Sequence, residues 1–308
     1  MKAQFNLIDE PWIPCLDRNG KTTDHSLRDT LFRAHELNEI VHVSPLVVSA
    51  LHRFLLAVLH RVYGPKNMGA WVELWAKGRW SEEALRDYLE KWRDRFYLFD
   101  QERPFFQFAN IYKKHKVPAD PRFVQSLAQE LASGNNKVLF DHTHEHVAVS
   151  WTPAEAAKYL LAYQAYAIRG GISHVSGEET VYFRDAPLTR GYTVLALGDN
   201  LFETLALNLI SESTRKFESP KDDALFWEKT NMQKPHKDGN TPAGYLDYLS
   251  WPSRKIKLFL DQNGRVSKCQ VQQHYPLSGQ TPQDPFKAYR MVKKGSSGEC
   301  GCSLVNEV

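Results

Sequence analysis

A mixed α+β globular body is what this 308-residue chain predicts, on three observations. Apolar residues recur at helical spacing in two long stretches, within 45–95 and 153–210. Runs rich in Val, Ile, Tyr, Phe and Thr, near the N-terminus and within 180–260, read as strands. Hydrophobic residues make up 42% of the chain against a net charge of only +3, which supplies a sizeable core and excludes a disordered protein.

In chain order, residues 5–16 read as an extended segment broken by Pro11 and Pro14, and Asn19-Gly20 is a hairpin turn signal. Ser26 to Ala34 follows as a short helix. From Leu46, positions 47, 51, 54, 55, 58, 59 and 62 share a helical face that Gly64-Pro65 closes. Ser81 opens another helix, with acids in its first turn and Leu85, Tyr88, Leu89 and Trp92 on one face. The run from Arg95 to Gln107 holds five aromatic rings flanked by Arg95 and Arg103. It suits either a base-stacking platform or a core segment with its arginines at the rim.

Thr152-Pro153-Ala154-Glu155 is a capping box with proline at the first helical position, and its helix runs to about Ile168 before Gly170-Gly171. Asn200 opens a second helix, to about Ile210. Thr180 to Leu197 and Tyr245 to Leu260 carry strand composition, while Ser211 to Gly239 is polar and loop-like. Asp261 to Gly264 is a further turn. Residues 295–308 read as a loose tail.

Four scattered cysteines without CxxC spacing point to a reducing, cytoplasmic setting rather than a disulfide framework. The first residues show no signal core. His52, Arg53, His60 and Arg61 interrupt the apolar stretch 45–63, so no membrane partner is expected. No P-loop, HExxH, GxSxG or paired-carboxylate spacing stands out, which argues against an enzyme.

Four features invite a site, each beside a plainer reading. His142, His144 and His146 would share a strand face and converge on one metal ion, or they are a solvated histidine-rich loop. Asn135, Asn136 and Lys137 offer amides for base edges and an ammonium for phosphate, or simply form a turn. Arg169-Gly170-Gly171 lets bare backbone approach a nucleic-acid groove, or merely ends a helix. Arg254-Lys255-Ile256-Lys257 opens a strand on which alternation places Arg254 with Ile256 and Lys255 with Lys257 on the opposite face. Two cations on one side suit phosphate or a minor groove, and equally protect an edge strand.

Six segments in this order resemble the CasA family, the large subunit of the type I-E CRISPR surveillance complex Cascade. They are Phe5 to Pro14, Ala50 to Arg61, Arg95 to Gln107, Asn136 to His142 with the helix start at Thr152, Gly198 to Leu205, and Thr241 to Leu249. The resemblance implies a non-catalytic recognition subunit without a cofactor. Its implied partners are the crRNA 5′ handle, the other Cascade subunits, target double-stranded DNA bearing the short PAM, and the helicase–nuclease recruited afterwards. In such systems base pairing reads the target while protein reads the PAM.

By position, the loop around 134–146, with Asn135, Asn136 and Lys137, resembles the one that reaches the RNA handle. Arg169, Gly170 and Gly171 resemble the start of the glycine-rich loop at the PAM minor groove. Lys255 resembles the lysine entering that groove, with Arg254 or Lys257 taking its place if the register slips. The implied fold is the family's mixed N-terminal α+β body over 1–290, lacking the C-terminal four-helix bundle, with a divergent or truncated tail over 291–308. The four-cysteine zinc site of some relatives is missing, since only Cys269 lies in that region. Two other readings remain, a metal-dependent hydrolase built on the histidine-rich loop and a scaffold subunit without PAM recognition.

Overall fold

Prolines at 11 and 14 keep the N-terminal segment extended, and that segment builds the first sheets. The computed structural model describes residues 4–112, 119–131, 149–173, 181–218, 220–230, 239–278, 281–294 and 299–304. Strand β1 (Gln4–Asn6) pairs antiparallel with a later strand, while β2 (Ile13–Asp17) sits between β3 (Thr22–His25) and β4 (Leu37–Ile40). The β2–β3 turn closes as Asn19-Gly20 predicts, with Gly20 at φ +77°. Helix α1 (Leu27–Phe32) lies between β3 and β4, and Ser26 accepts the Asp29 N–H at its start.

Helix α2 (Pro45–Tyr63) is the centre of the molecule. Its 19 residues are long and apolar enough to cross a membrane by length and composition alone, yet 67% of that window is buried inside the protein. A helix apolar nearly all round belongs in a core. Helix α3 (Met68–Ala76) and helix α4 (Glu82–Lys91) follow, and α4 packs on α2 through Leu85, Tyr88 and Leu89. The sequence reading missed α3, because it buries no residue fully. It is held by its Asn67 cap and by Trp71, whose indole N–H donates to the Ala206 carbonyl at 2.8 Å.

Strand β5 (Tyr97–Phe99) returns to pair with β1. Of the aromatic run, Phe96, Phe105 and Phe106 are buried, so the core reading holds for them. Phe54 of α2 meets Trp12, Phe105 and Trp227 at centroid distances of 5.6–5.7 Å. After β6 (Arg122–Phe123) comes α5 (Pro153–Tyr166), packed along α2. Its capping box is half formed. Thr152 Oγ1 accepts the Glu155 N–H, but the Glu155 carboxylate turns to His42 at 3.3 Å and Lys158 at 2.7 Å.

Strands β7 (Gly170–Ser173) and β8 (Val181–Phe183) form a ribbon, and α6 (Leu201–Leu207) begins at Asn200 as its spacing predicts. Beyond Phe183 the expected strand run to Leu197 does not continue. The chain docks instead on the end of α5, Ala186 N–H to Ala167 O and Leu188 N–H to Ala165 O, and Pro187 and Gly191 break any ladder.

The strand expected over 245–260 splits in two. Tyr245–Leu249 is helix α7, because the Asp223 carboxylate accepts the N–H groups of Leu246 and Asp247, each at 2.9 Å. Gly244 lets that carboxylate in, since a Cβ there would lie 2.4 Å from it. Strands β9 (Arg254–Leu260) and β10 (Val266–Gln273) then form a hairpin across the predicted turn, in the sheet order β6-β10-β9. The loose tail expected over 295–308 holds a strand at 299–304. Strand β11 (Tyr289–Lys294) pairs with β12 (Glu299–Leu304) in continuous register, although serines and glycines between them hide the strand pattern.

Candidate nucleic-acid interface

The end of α5 feeds directly into the glycine pair. Gly170 has φ +120° and Gly171 φ +65°, and the two stand opposite Phe183 as a bulge in the β7–β8 ribbon. A Cβ on Gly170 would meet nothing within 4 Å, and one on Gly171 would meet only the Phe183 ring at 3.6 Å. Backbone conformation, not crowding, therefore demands glycine here, and the outer surface is bare peptide. Arg169 beside them is exposed, and its N–H donates to Asp185 at 2.7 Å. Tyr182, across the ribbon, is 68% exposed.

Alternation along β9 is as the sequence indicated, with Arg254, Ile256 and Leu258 inward and Lys255 and Lys257 on the other face. The inward position changes what Arg254 can do. Its side chain is fully buried, and its guanidinium donates to the carbonyls of Ser253, Ile168 and Arg184 at 3.0, 3.1 and 2.7 Å. It also lies 4.9 Å from the centre of the Phe183 ring. Burial pulls its pKa down to about 10, so it stays charged at neutral pH. Arg254 thus fastens both arms of the glycine ribbon to β9 and offers nothing outward.

Two glutamines complete the fastening, and sequence reasoning gave no hint of them. The Gln164 side-chain amide accepts the Arg254 N–H and donates to the Arg254 carbonyl, each at 2.9 Å, as a neighbouring strand would. Gln273 accepts the Arg184 N–H at 2.8 Å, and its own N–H donates to Ser173 Oγ at 2.9 Å. The only available signal was a polar residue among the apolar ones of a helix, for Gln164, and at the end of a strand, for Gln273.

On the opposite face, Lys257 donates to the Ala109 carbonyl and lies 5.5 Å from the Phe259 ring centre. Lys255 is half-buried across from Gln272. Burial, then the charges of Lys255 and Lys229, hold the His274 imidazole well below its ordinary pKa. Residues Asn135, Asn136, Lys137, His142, His144 and His146 lie outside the described residues. Among the described residues no three His, Cys, Asp or Glu side chains gather as metal donors.

The site is therefore two joined hairpins, one presenting bare backbone and the other a half-buried lysine. The family model of CRISPR-associated protein Cse1 matches residues 6–300. A curated relative, the CRISPR-associated protein CasA/Cse1 of Thermus thermophilus, is 38% identical over 298 residues, covering 95% of this chain and 56% of the relative. The crystal structure of Cse1 from Acidimicrobium ferrooxidans superposes with a TM-score of 0.83 at 28% identity, over 99% of this chain and 58% of that one. A chain of a CRISPR RNA-guided surveillance complex superposes at 0.80 with 24% identity, over 99% and 62%, a likeness of fold alone. This chain thus spans a little over half the length of the relatives it matches.

Proposed function

The chain belongs to the CRISPR-associated protein Cse1 family, and from that premise we propose that it is a non-catalytic subunit of a type I-E Cascade complex. In this reading it docks at the crRNA 5′ handle beside the other subunits in the cytoplasm. It reads the PAM in duplex DNA, helps start strand exchange, and takes part in recruiting the helicase–nuclease. One observation carries the recognition step, the fastening of the Gly170-Gly171 bulge to β9 by Arg254.

Bare peptide, with Gly170 at a φ that only glycine adopts readily, admits close approach of a groove edge, where a side chain would hold it off. A lysine entering the minor groove meets acceptors at every A·T or G·C pair, so this pairing favours tolerance of several PAMs. Among the three strand cations, Lys255 is the reader in this proposal. Arg254 positions the ribbon from inside, and Lys257 is tied to Ala109.

The test is reconstitution with crRNA and partner subunits, followed by duplex binding with varied PAMs at fixed salt. Lys255→Ala weakens PAM-bearing duplex far more than crRNA association, by about 1–3 kcal/mol if one base contact is lost. Gly171→Asp, which places an anion against the phosphates, has the same selectivity. Equal losses on RNA and duplex, or an unchanged duplex curve for Gly171→Asp, would remove these residues from the interface.

A further inference from the structure

The arginines flanking the aromatic run have no place in the proposed PAM reader, yet they edge a cleft of about 180 Å³. The end of the run and the residue after it form one wall, through Phe106 and Phe108, and the turn Phe226–Glu228 forms the other. That second wall is firmly built. Trp227 Nε1 donates to Tyr88 Oη, which donates to Glu228, and the Phe226 N–H donates to Ser250 Oγ at 2.8 Å. Phe226 and Phe108 both line the cleft and remain half-buried, their rings touching with centres 5.7 Å apart and planes tilted by 50°. Phe106, at φ +53°, turns the chain so that Phe108 reaches this wall.

Charge at the mouth is one-sided. Among the described residues neither the Arg95 nor the Arg103 guanidinium has a hydrogen bond or ion pair. Burial, and then the charge of Arg103, lower the Arg95 pKa, against smaller opposing effects of Asp100 and Asp94. Asp100 is already occupied, accepting the N–H groups of Glu102 and Arg103. Lys229, deeper in, is paired with Asp247. Among the described residues Glu102 is the single carboxylate lining the cleft. Two neighbouring arginines that form no ion pair among the described residues, beside half-buried rings, fit a phosphate with its base laid against those rings.

The rings also continue beyond the cleft. Phe108 lies 4.9 Å from His274, which stacks on Tyr275 at 3.8 Å, and these two line a second hollow that shares Phe226 and Lys229 with the first. Flat faces thus line both hollows, as single-strand binding by base stacking requires.

We propose that this cleft binds single-stranded nucleic acid, laying an unpaired base against the touching rings of Phe108 and Phe226 with its phosphate held by Arg95 and Arg103. The chemistry serves a guide RNA or a displaced DNA strand equally. The site stands apart from PAM reading and needs no partner subunit.

The experiment uses the full chain alone, with fluorescein-labelled oligothymidylate, oligouridylate of equal length, and a blunt duplex lacking any PAM, followed by anisotropy across a salt series. Single strands bind more tightly than duplex, and the tighter of the two identifies the strand as DNA or RNA. Arg95→Gln/Arg103→Gln weakens single-strand binding at least about tenfold. It also flattens the salt dependence by about 0.7 in slope, for one single-strand phosphate. Phe226→Leu, which keeps apolar bulk but removes the ring face, weakens binding at least about fivefold. Phe108→Leu repeats that readout on the other wall should the first variant lower the thermal midpoint. Arg33→Gln, at a cation paired with Glu36, leaves binding unchanged. Duplex bound as well as single strands, no effect of either leucine variant, or equal loss in Arg33→Gln each overturns the assignment.

Discussion

Arg254 shows how one side chain changes meaning between sequence and structure. Its inward face was legible from alternation with Ile256, but its partners were not. Ile168 and Arg184 supply their carbonyls from 86 and 70 residues away in the chain, beyond any local pattern. Truncation leaves those buried carbonyls without a donor and a cavity against Phe183. Arg254→Ala therefore loses about 3–5 kcal/mol in urea unfolding, and Arg254→Lys, which keeps charge but not the fork, loses less. In the lysine variant, amide exchange across residues 169–173 accelerates while α2 is unaffected. Unchanged exchange there would show that the ribbon is held by other means. The roles of Gln164 and Gln273 were invisible for the same reason, since each acts across a distance only folding closes.

At the level of elements, those whose ends carry their own caps were legible. Ser26, Thr152 and Asn200 each accept an N–H three residues on, and each helix begins where that spacing says. Helix α7 was misread because its cap, Asp223, comes from a separate loop. Helix α2 was legible as a helix, and its buried histidines carry a consequence for acid stability. Burial lowers the pKa of His52 and drives His60, aided by the Arg215 charge, down to about 3, while His274 beyond β10 is likewise depressed. Below the ordinary histidine pKa of about 6.5 the unfolded chain binds protons that the folded chain refuses. Stability is thus full above that pH and falls as pH drops through it, by up to about 1.4 kcal/mol per pH unit for each such histidine. Glu228, whose burial raises its pKa, works in the opposite sense nearer pH 4.5. Urea midpoints between pH 7.5 and 5.5 read this directly. His60→Phe flattens the curve, and an unaltered slope would mean His60 is not held neutral.

Over the whole molecule, the α+β class was legible from composition and periodicity, and the small separate sheets around α2 were not. Strand pairing such as β1 with β5 joins segments some ninety residues apart, which no spacing rule records. The net charge of +3 likewise tells little, because attraction for a polyanion depends on where charge gathers. Exposed Arg169 beside the bare bulge is suited to a phosphate rather than a base. Arg169→Gln in a reconstituted complex therefore flattens the salt dependence of duplex binding by about 0.9 in slope and leaves PAM preference intact. A changed preference would move Arg169 from anchoring to reading.

The glycine bulge has a consequence in handedness. At φ +120° the ribosomal repertoire offers no chiral residue that rests comfortably, so any encoded replacement of Gly170 alters the path of the chain and the contour of its surface together. A mirror-image alanine, installed by chemical ligation, tolerates that dihedral and adds only a methyl group. Stereochemistry can thereby separate the shape of the bend from the emptiness above it, which mutagenesis alone always changes as one.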